Sequence, residues 1–166
     1  MSEAGGVTEP KRTGSAGRVL AFLESHGLAE GLVHFEQSTK TAQMAADAMG
    51  CELGQIVKSL VFVADDRPVL ALVAGDRRGD SDAIAALMDA RKAAFADADT
   101  VRSATGFAIG GVSPFALPSE LRVLIDESLG RFEVVYPAGG TPSSMVRMTL
   151  PQLVELSGGQ VCEIAR

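Results

Sequence analysis

The sequence is poor in the features that announce a function. It holds two cysteines, Cys51 and Cys162, in 166 residues. They lie far apart and fit no metal-ligand spacing, so two reduced, buried thiols are expected. No apolar run reaches the ~18 residues of a transmembrane helix. The opening stretch, MSEAGGVTEPKRTGSAG, lacks the apolar segment of a signal peptide. Positive charge is short as well: 15 Lys and Arg stand against 21 Asp and Glu, a net charge of −6. That excludes the broad basic surface of a general nucleic-acid coat. It leaves room for a small contact, such as the end of one strand held by a few cations. Arg77-Arg78 and Arg91-Lys92 are the local clusters, unless they are simply solvated surface. Catalytic motifs are missing too. GVSPF, 111–115, has proline after its serine and no second glycine, so it is no serine-hydrolase elbow. There is no P-loop and no G-x-G-x-x-G opening a helix, and His26 and His34 do not form an i, i+4 metal pair.

What is present suits a globular protein. Hydrophobic residues make up 46% and charged residues 22%, which supports one domain with a real core over residues 16–166. Residues 1–15, rich in Gly, Ser and charge, read as a flexible tail. Apolar periodicity predicts helices over 15–26, 41–48, 81–89, 97–104 and 150–157. Strands are predicted over 32–36, 57–64, 68–74, 121–126, 132–137, 143–149 and near 160–165, with a hairpin turn at Asp65-Asp66-Arg67. Strands outnumber helices and the helices interrupt them irregularly. The fold class read from this pattern is α+β with a mixed sheet.

Two features are out of place. GQIVKSLVFVADD, 54–66, reads as a buried strand with Lys58 inside it. Alternation puts Lys58 on one face with Ile56, Leu60 and Phe62, and Val57, Val61 and Val63 on the other. A lysine is almost never fully buried without a partner. Its ammonium could pair with a carboxylate such as Asp126, bind a phosphate, or form a Schiff base. The second feature is GFAIGGVSPFALP, 106–118, punctuated by Gly110, Gly111, Pro114 and Pro118. Its glycines permit close backbone approach to a ligand, and exposed N–H groups there can hold an oxyanion or carbonyl oxygen. A tight turn between core elements is the plain alternative.

In order along the chain, HFEQSTKTA, GQIVKSLVF, LALVAGD, TGFAIGGVSPFAL, VLID and AGG resemble the YbaK/prolyl-tRNA-synthetase-associated editing domain family, over roughly residues 16–156. The strand lysine and the G-x-x-x-P loop, Gly110 to Pro114, carry the resemblance in combination. It implies a barrel-like mixed sheet with peripheral helices. It implies an aminoacyl-tRNA deacylase, like the free-standing members, that clears a wrong small amino acid from proline tRNA without metal or other cofactor. Lys58 and Gly110 would be the catalytic positions, the first contacting the terminal adenosine or ester and the second holding the aminoacyl end by its backbone. Phe35, Gly111, Val112, Ser113, Pro114, Ala138 and Gly139 would bind substrate. The expected partners are the acceptor end of mischarged tRNA and, as a candidate, prolyl-tRNA synthetase, with neither membrane nor DNA, in the cytoplasm. A module that binds a tRNA end or a synthetase without chemistry is the alternative.

The sequence also departs from the family pattern. Cysteine-editing members carry a serine before the paired glycines and a carboxylate shortly after. Here Ala138 precedes Gly139-Gly140, TPSSMV follows, and Phe35 stands where the pocket tyrosine is matched. A less polar pocket is implied, one that favours alanine or 2-aminobutyrate.

Overall fold

The computed structural model describes residues 7–8, 14–36, 39 and 41–166. Most of the expected tail lies outside these, although Val7–Thr8 form a short strand, β1, and Gly14 opens the first helix. That helix, α1 (Gly14–Ser25), buries Ala16, Val19, Leu20 and Leu23 along one stripe. β2 (Leu32–Phe35) follows, then α2 (Ala42–Met49). The hydroxyl of Thr41 caps α2 by accepting from Met44 N, and Gly50 closes it in the left-handed region.

β3 (Val57–Ala64) and β4 (Arg67–Ala74) form the predicted hairpin. α3 (Ser81–Leu87) is capped by Asp80. β5 (Ala93–Phe95) comes next, a strand the sequence did not suggest because two of its three residues are alanine and no alternation marks it. α4 (Ala98–Thr105), β6 (Arg122–Asp126), β7 (Val134–Val135), β8 (Ser144–Val146), β9 (Met148–Thr149), α5 (Leu150–Ser157) and β10 (Gln160–Cys162) complete the order. Thr149 and Gln152 form a reciprocal capping box at the start of α5.

The main sheet runs β10-β6-β4-β3-β5. β4 lies antiparallel to β3 but parallel to β6, and β10 is parallel to β6, so the sheet is mixed as expected. Both faces are covered. Val57, Val61, Leu70, Leu72 and Ala74 face a core shared with α1, α4 and α5. Phe62, Ala64, Val69, Ala71 and Val73 face a second core with α3. β4 is therefore buried from Val69 to Ala74, which is why it reads as one continuous apolar run.

Barrel-like closure is not found. The described strands fall into sheets of five, three (β1-β2-β8) and two (β7-β9), and the edges of the main sheet, β5 and β10, lie at opposite ends. A closed barrel needs every strand paired on both sides. The isolated bridges Ile56–Tyr136 and Ala138–Met145 link the sheets without closing them. Among the described residues no helix is long and apolar enough to cross a membrane.

Candidate active site

β5 is too short to cover β3. It pairs with Phe62–Ala64 only, and Ala96 N donates to Val61 O at 3.0 Å. At the other end Val57 N donates to Tyr136 O at 3.1 Å. Backbone groups alternate edges along an antiparallel strand. The N–H and C=O of Ser59, between these two contacts, therefore face an open stretch of sheet edge. A cavity of about 360 Å³ occupies this gap, lined along β3 by Ile56 to Val61. The first turn of α2 (Thr41, Ala42, Ala45), Phe95 and Ala96, Val101, Ile109 to Gly110, Val112, Ala138 and Met145 complete most of its wall.

Lys58 is the one charged side chain among the described lining residues. Its Nζ donates to the carbonyl oxygen of Arg77 in the turn after β4. Asp126 is not its partner: that carboxylate accepts from Ser128 N, Ser128 Oγ and Ile164 N. The turn that holds Lys58 is itself fixed. Gly75 N donates to Ile56 O at 2.8 Å, and a Cβ on Gly75 would stand 2.3 Å from Leu53 O, so only glycine lets the turn approach so closely. Beside it Arg131 donates through two nitrogens to Asp76 at 2.8 and 2.9 Å. Burial lowers the Lys58 ammonium below the ordinary lysine pKa; Asp76 opposes this and Arg78 adds to it. The N-terminal turn of α2 contributes a partial positive charge to the same cavity.

The glycine loop is anchored at both ends. Thr105 Oγ1 accepts from Phe107 N at 3.0 Å, the guanidinium of Arg18 lies over the Phe107 ring, and Phe107 and Phe115 are fully buried. Between these anchors Gly111 N donates to Ala108 O at 3.0 Å, which closes a turn. Its third residue, Gly110, has φ +85°, a left-handed value suited to glycine. This turn brings Gly110 to the wall of the same cavity as Lys58.

Of the residues expected at the site, Lys58, Gly110, Val112 and Ala138 line the cavity. The other five stand off its wall. Phe35 is buried in a cluster with Ala45, Ala46, Ile56 and Met145, so it supports the wall from behind. Gly111 packs on Thr141 and Pro142, and Gly139 on Leu32 and Ser144. The Ser113 hydroxyl is buried and accepts from Phe115 N, and Pro114 faces a different depression with Phe22 and Leu117. Residues not foreseen at the wall include Thr39, Thr41, Ser59, Phe95, Ile109 and Met145. The cap signal at Thr41 was legible, but nothing local reports which strand edge is left open.

Among the described residues no carboxylate or imidazole lines the cavity, and no group of three His, Cys, Asp or Glu could hold a metal ion. Cys51 and Cys162 are free and half-buried, and burial raises both thiols above their usual pKa. The site can therefore offer one fixed cation, backbone polar groups from β3 and the Gly110 turn, and a small apolar enclosure. Such a site can bind and polarise an ester or phosphate oxygen.

Residues 36–156 match the aminoacyl-tRNA editing domain profile. YwhH of Bacillus subtilis, itself named as an uncharacterized protein, is 36% identical over 131 residues, 78% of this chain and 83% of its own length. A protein of Enterococcus faecalis named "Putative Cys-tRNA(Pro)/Cys-tRNA(Cys) deacylase EbsC" is 23% identical over 157 residues, 93% of this chain and 96% of that one. A crystal structure described as "a putative trans-editing enzyme for prolyl tRNA synthetase" superposes with a TM-score of 0.83 at 40% identity, covering 93% of this chain and 98% of the other.

Proposed function

This chain belongs to the aminoacyl-tRNA editing domain family, and from that premise we propose that it hydrolyses the ester of mischarged tRNA. Proline tRNA carrying alanine or 2-aminobutyrate is its substrate. The observation that carries this reading is the placement of Lys58, the one cation among the described lining residues, on the same apolar cavity as the left-handed Gly110 turn. The ammonium holds the ribose and ester end. The backbone of the turn holds the acyl end. Water attacks the ester carbonyl, the carbon–oxygen bond to the ribose breaks, and the ribose hydroxyl leaves with a proton. The oxyanion that forms on the way is stabilised in a site of low dielectric, where a fixed charge acts strongly. With no carboxylate or imidazole on the described wall, the substrate's own neighbouring hydroxyl or amine relays the proton.

Selectivity follows from the enclosure. Ala42, Ala45, Ile56, Val112, Ala138 and Met145 accept a methyl or ethyl side chain. A seryl hydroxyl finds both lining threonines engaged, Thr41 Oγ1 capping α2 and Thr39 Oγ1 donating to Pro142 O, and is paired only where it reaches Ser59, whose buried Oγ has no partner. Burying that hydroxyl unpaired costs on the order of 1–3 kcal/mol. Prolyl esters are spared by the size of the ring or by its secondary amine. The test is a rate comparison of alanyl, 2-aminobutyryl, seryl and prolyl forms of one proline tRNA. The expected order places the first two above seryl, with prolyl unhydrolysed. Fastest turnover on the seryl form would contradict the pocket argument.

A further inference from the structure

Phe95 is 68% exposed and Ile109 58% exposed, yet both line the cavity. They come from different elements: Phe95 ends β5, and Ile109 sits in the turn beyond α4. Isolated surface apolar residues need no explanation, but two large ones on the rim of one functional cavity do. The Phe95 ring cannot fold inward, because Phe62 already fills that place. The two rings stack with centroids 4.5 Å apart and planes 25° from parallel. One face of Phe95 is thus backed by a buried ring, leaving the outer side for a ligand.

We propose that Phe95, with Ile109 on the same rim, is a stacking platform for an unpaired base at the 3′ end of the tRNA acceptor strand. Three observations favour a base over other apolar occupants. The platform is continuous with the cavity that holds Lys58. Phe95 pairs in register with Phe62, four residues along β3 from Lys58, which is about 13 Å at the rise of a strand. A sugar and base attached to an ester near Lys58 extend into this span. Finally, β5 is preceded by Arg91 and Lys92, both exposed, whose side chains offer positive charge to the phosphates of an incoming strand beside the Asp65 carboxylate held by their backbone N–H groups. Aromatic faces hold single-stranded bases by stacking, with little demand on sequence. A rigid ring at the rim therefore positions the ester without reading the rest of the tRNA. The platform rests on the deacylase reading for its occupant.

The test uses Phe95→Ala, Phe95→Leu and Phe95→Trp in the full chain. Loss of one stacked base corresponds to roughly a 5- to 150-fold rise in KM, with kcat changed far less, for both Ala and Leu. Phe95→Trp restores KM relative to Leu because it restores a ring. The chain has no tryptophan, so Phe95→Trp also gives a unique fluorophore. Its emission is quenched by the unacylated trinucleotide CCA and much less by the same oligomer with abasic 3′ positions. Phe95→Leu with the KM of the parent would overturn the platform. So would tryptophan emission indifferent to CCA, or quenched equally by the abasic oligomer. Self-association of the parent that Phe95→Ala abolishes would assign the rim to a second copy instead and reject the base. Quenching does not need hydrolysis: quenching by an inactive protein keeps the platform and rejects the deacylase, and an active enzyme without quenching does the reverse.

Discussion

Replacing Lys58 by alanine removes the one charged group among the described residues of the cavity wall, and the structure sets what that costs. The lysine lies half-buried on β3 with its ammonium on the Arg77 carbonyl. Arg77 is exposed, so its carbonyl returns to water when the ammonium goes. No buried group is left unpaired, and the penalty on folding is confined to lost packing of the stem. Function has no such substitute. A hydrogen bond to a charged group contributes about 1.5–3 kcal/mol, so losing it from the transition state lowers kcat/KM by roughly 10- to 150-fold. Lys58→Met keeps most of the apolar stem and drops the charge, so it should fall as far as Lys58→Ala. Lys58→Arg keeps the charge on a different fork and recovers part of the rate. Single-turnover hydrolysis of alanyl-tRNA, with thermal melting and circular dichroism on each variant, makes the comparison. A folded Lys58→Ala or Lys58→Met protein within a few-fold of the parent would refute the role given to the ammonium.

Two other expectations concern the same cavity. Burial depresses the Lys58 pKa, so its charged form is lost on the alkaline side at a lower pH than for a free lysine. Activity corrected for spontaneous ester hydrolysis should fall as pH rises through that depressed value, and Lys58→Arg should move the fall to higher pH; identical alkaline limbs would exclude the lysine as its source. Gly110→Ala meets no atom within 4 Å but inherits φ +85°. It should therefore cost about 1–2 kcal/mol in the local turn, seen as a modest loss of stability by denaturant titration and a larger loss of kcat/KM. Full activity in that variant would remove the turn from the mechanism.

Local chemistry made much of this fold readable before any coordinates. Thr41, Gly50 and Pro151 punctuate helices where the chain places its caps, and the β3–β4 hairpin follows from its apolar runs and the Asp65-Asp66 turn. Lys58 stood out because a strand alternates and a lysine resists burial. What was not legible depends on pairing between distant segments. The stretch 132–137 read as one strand but yields only Val134–Val135, since Phe132 still ends a 3₁₀ turn by donating to Leu129 O. The stretch 143–149 splits at Arg147, whose N–H donates to Gly31 O at 2.9 Å as the last contact on the β2 side, after which β9 joins β7. The open edge of β3 exists because β5 stops after three residues, and neither its length nor its partner is written in periodicity. Phe35 was expected at the pocket from its match to a family position, but β2 carries it into the cluster behind Ile56 and Met145.

The central claim is that the chain breaks an aminoacyl ester, and one measurement tests it most directly. Alanyl-tRNA specific for proline is incubated with a molar excess of the purified protein, and free alanine is followed against the spontaneous rate. The account predicts single-exponential release well above background, intact tRNA as the other product, and a release rate that collapses with Lys58→Ala. Release no faster than the spontaneous rate, from a protein that nonetheless binds the charged tRNA, would contradict it and leave a binding module in its place.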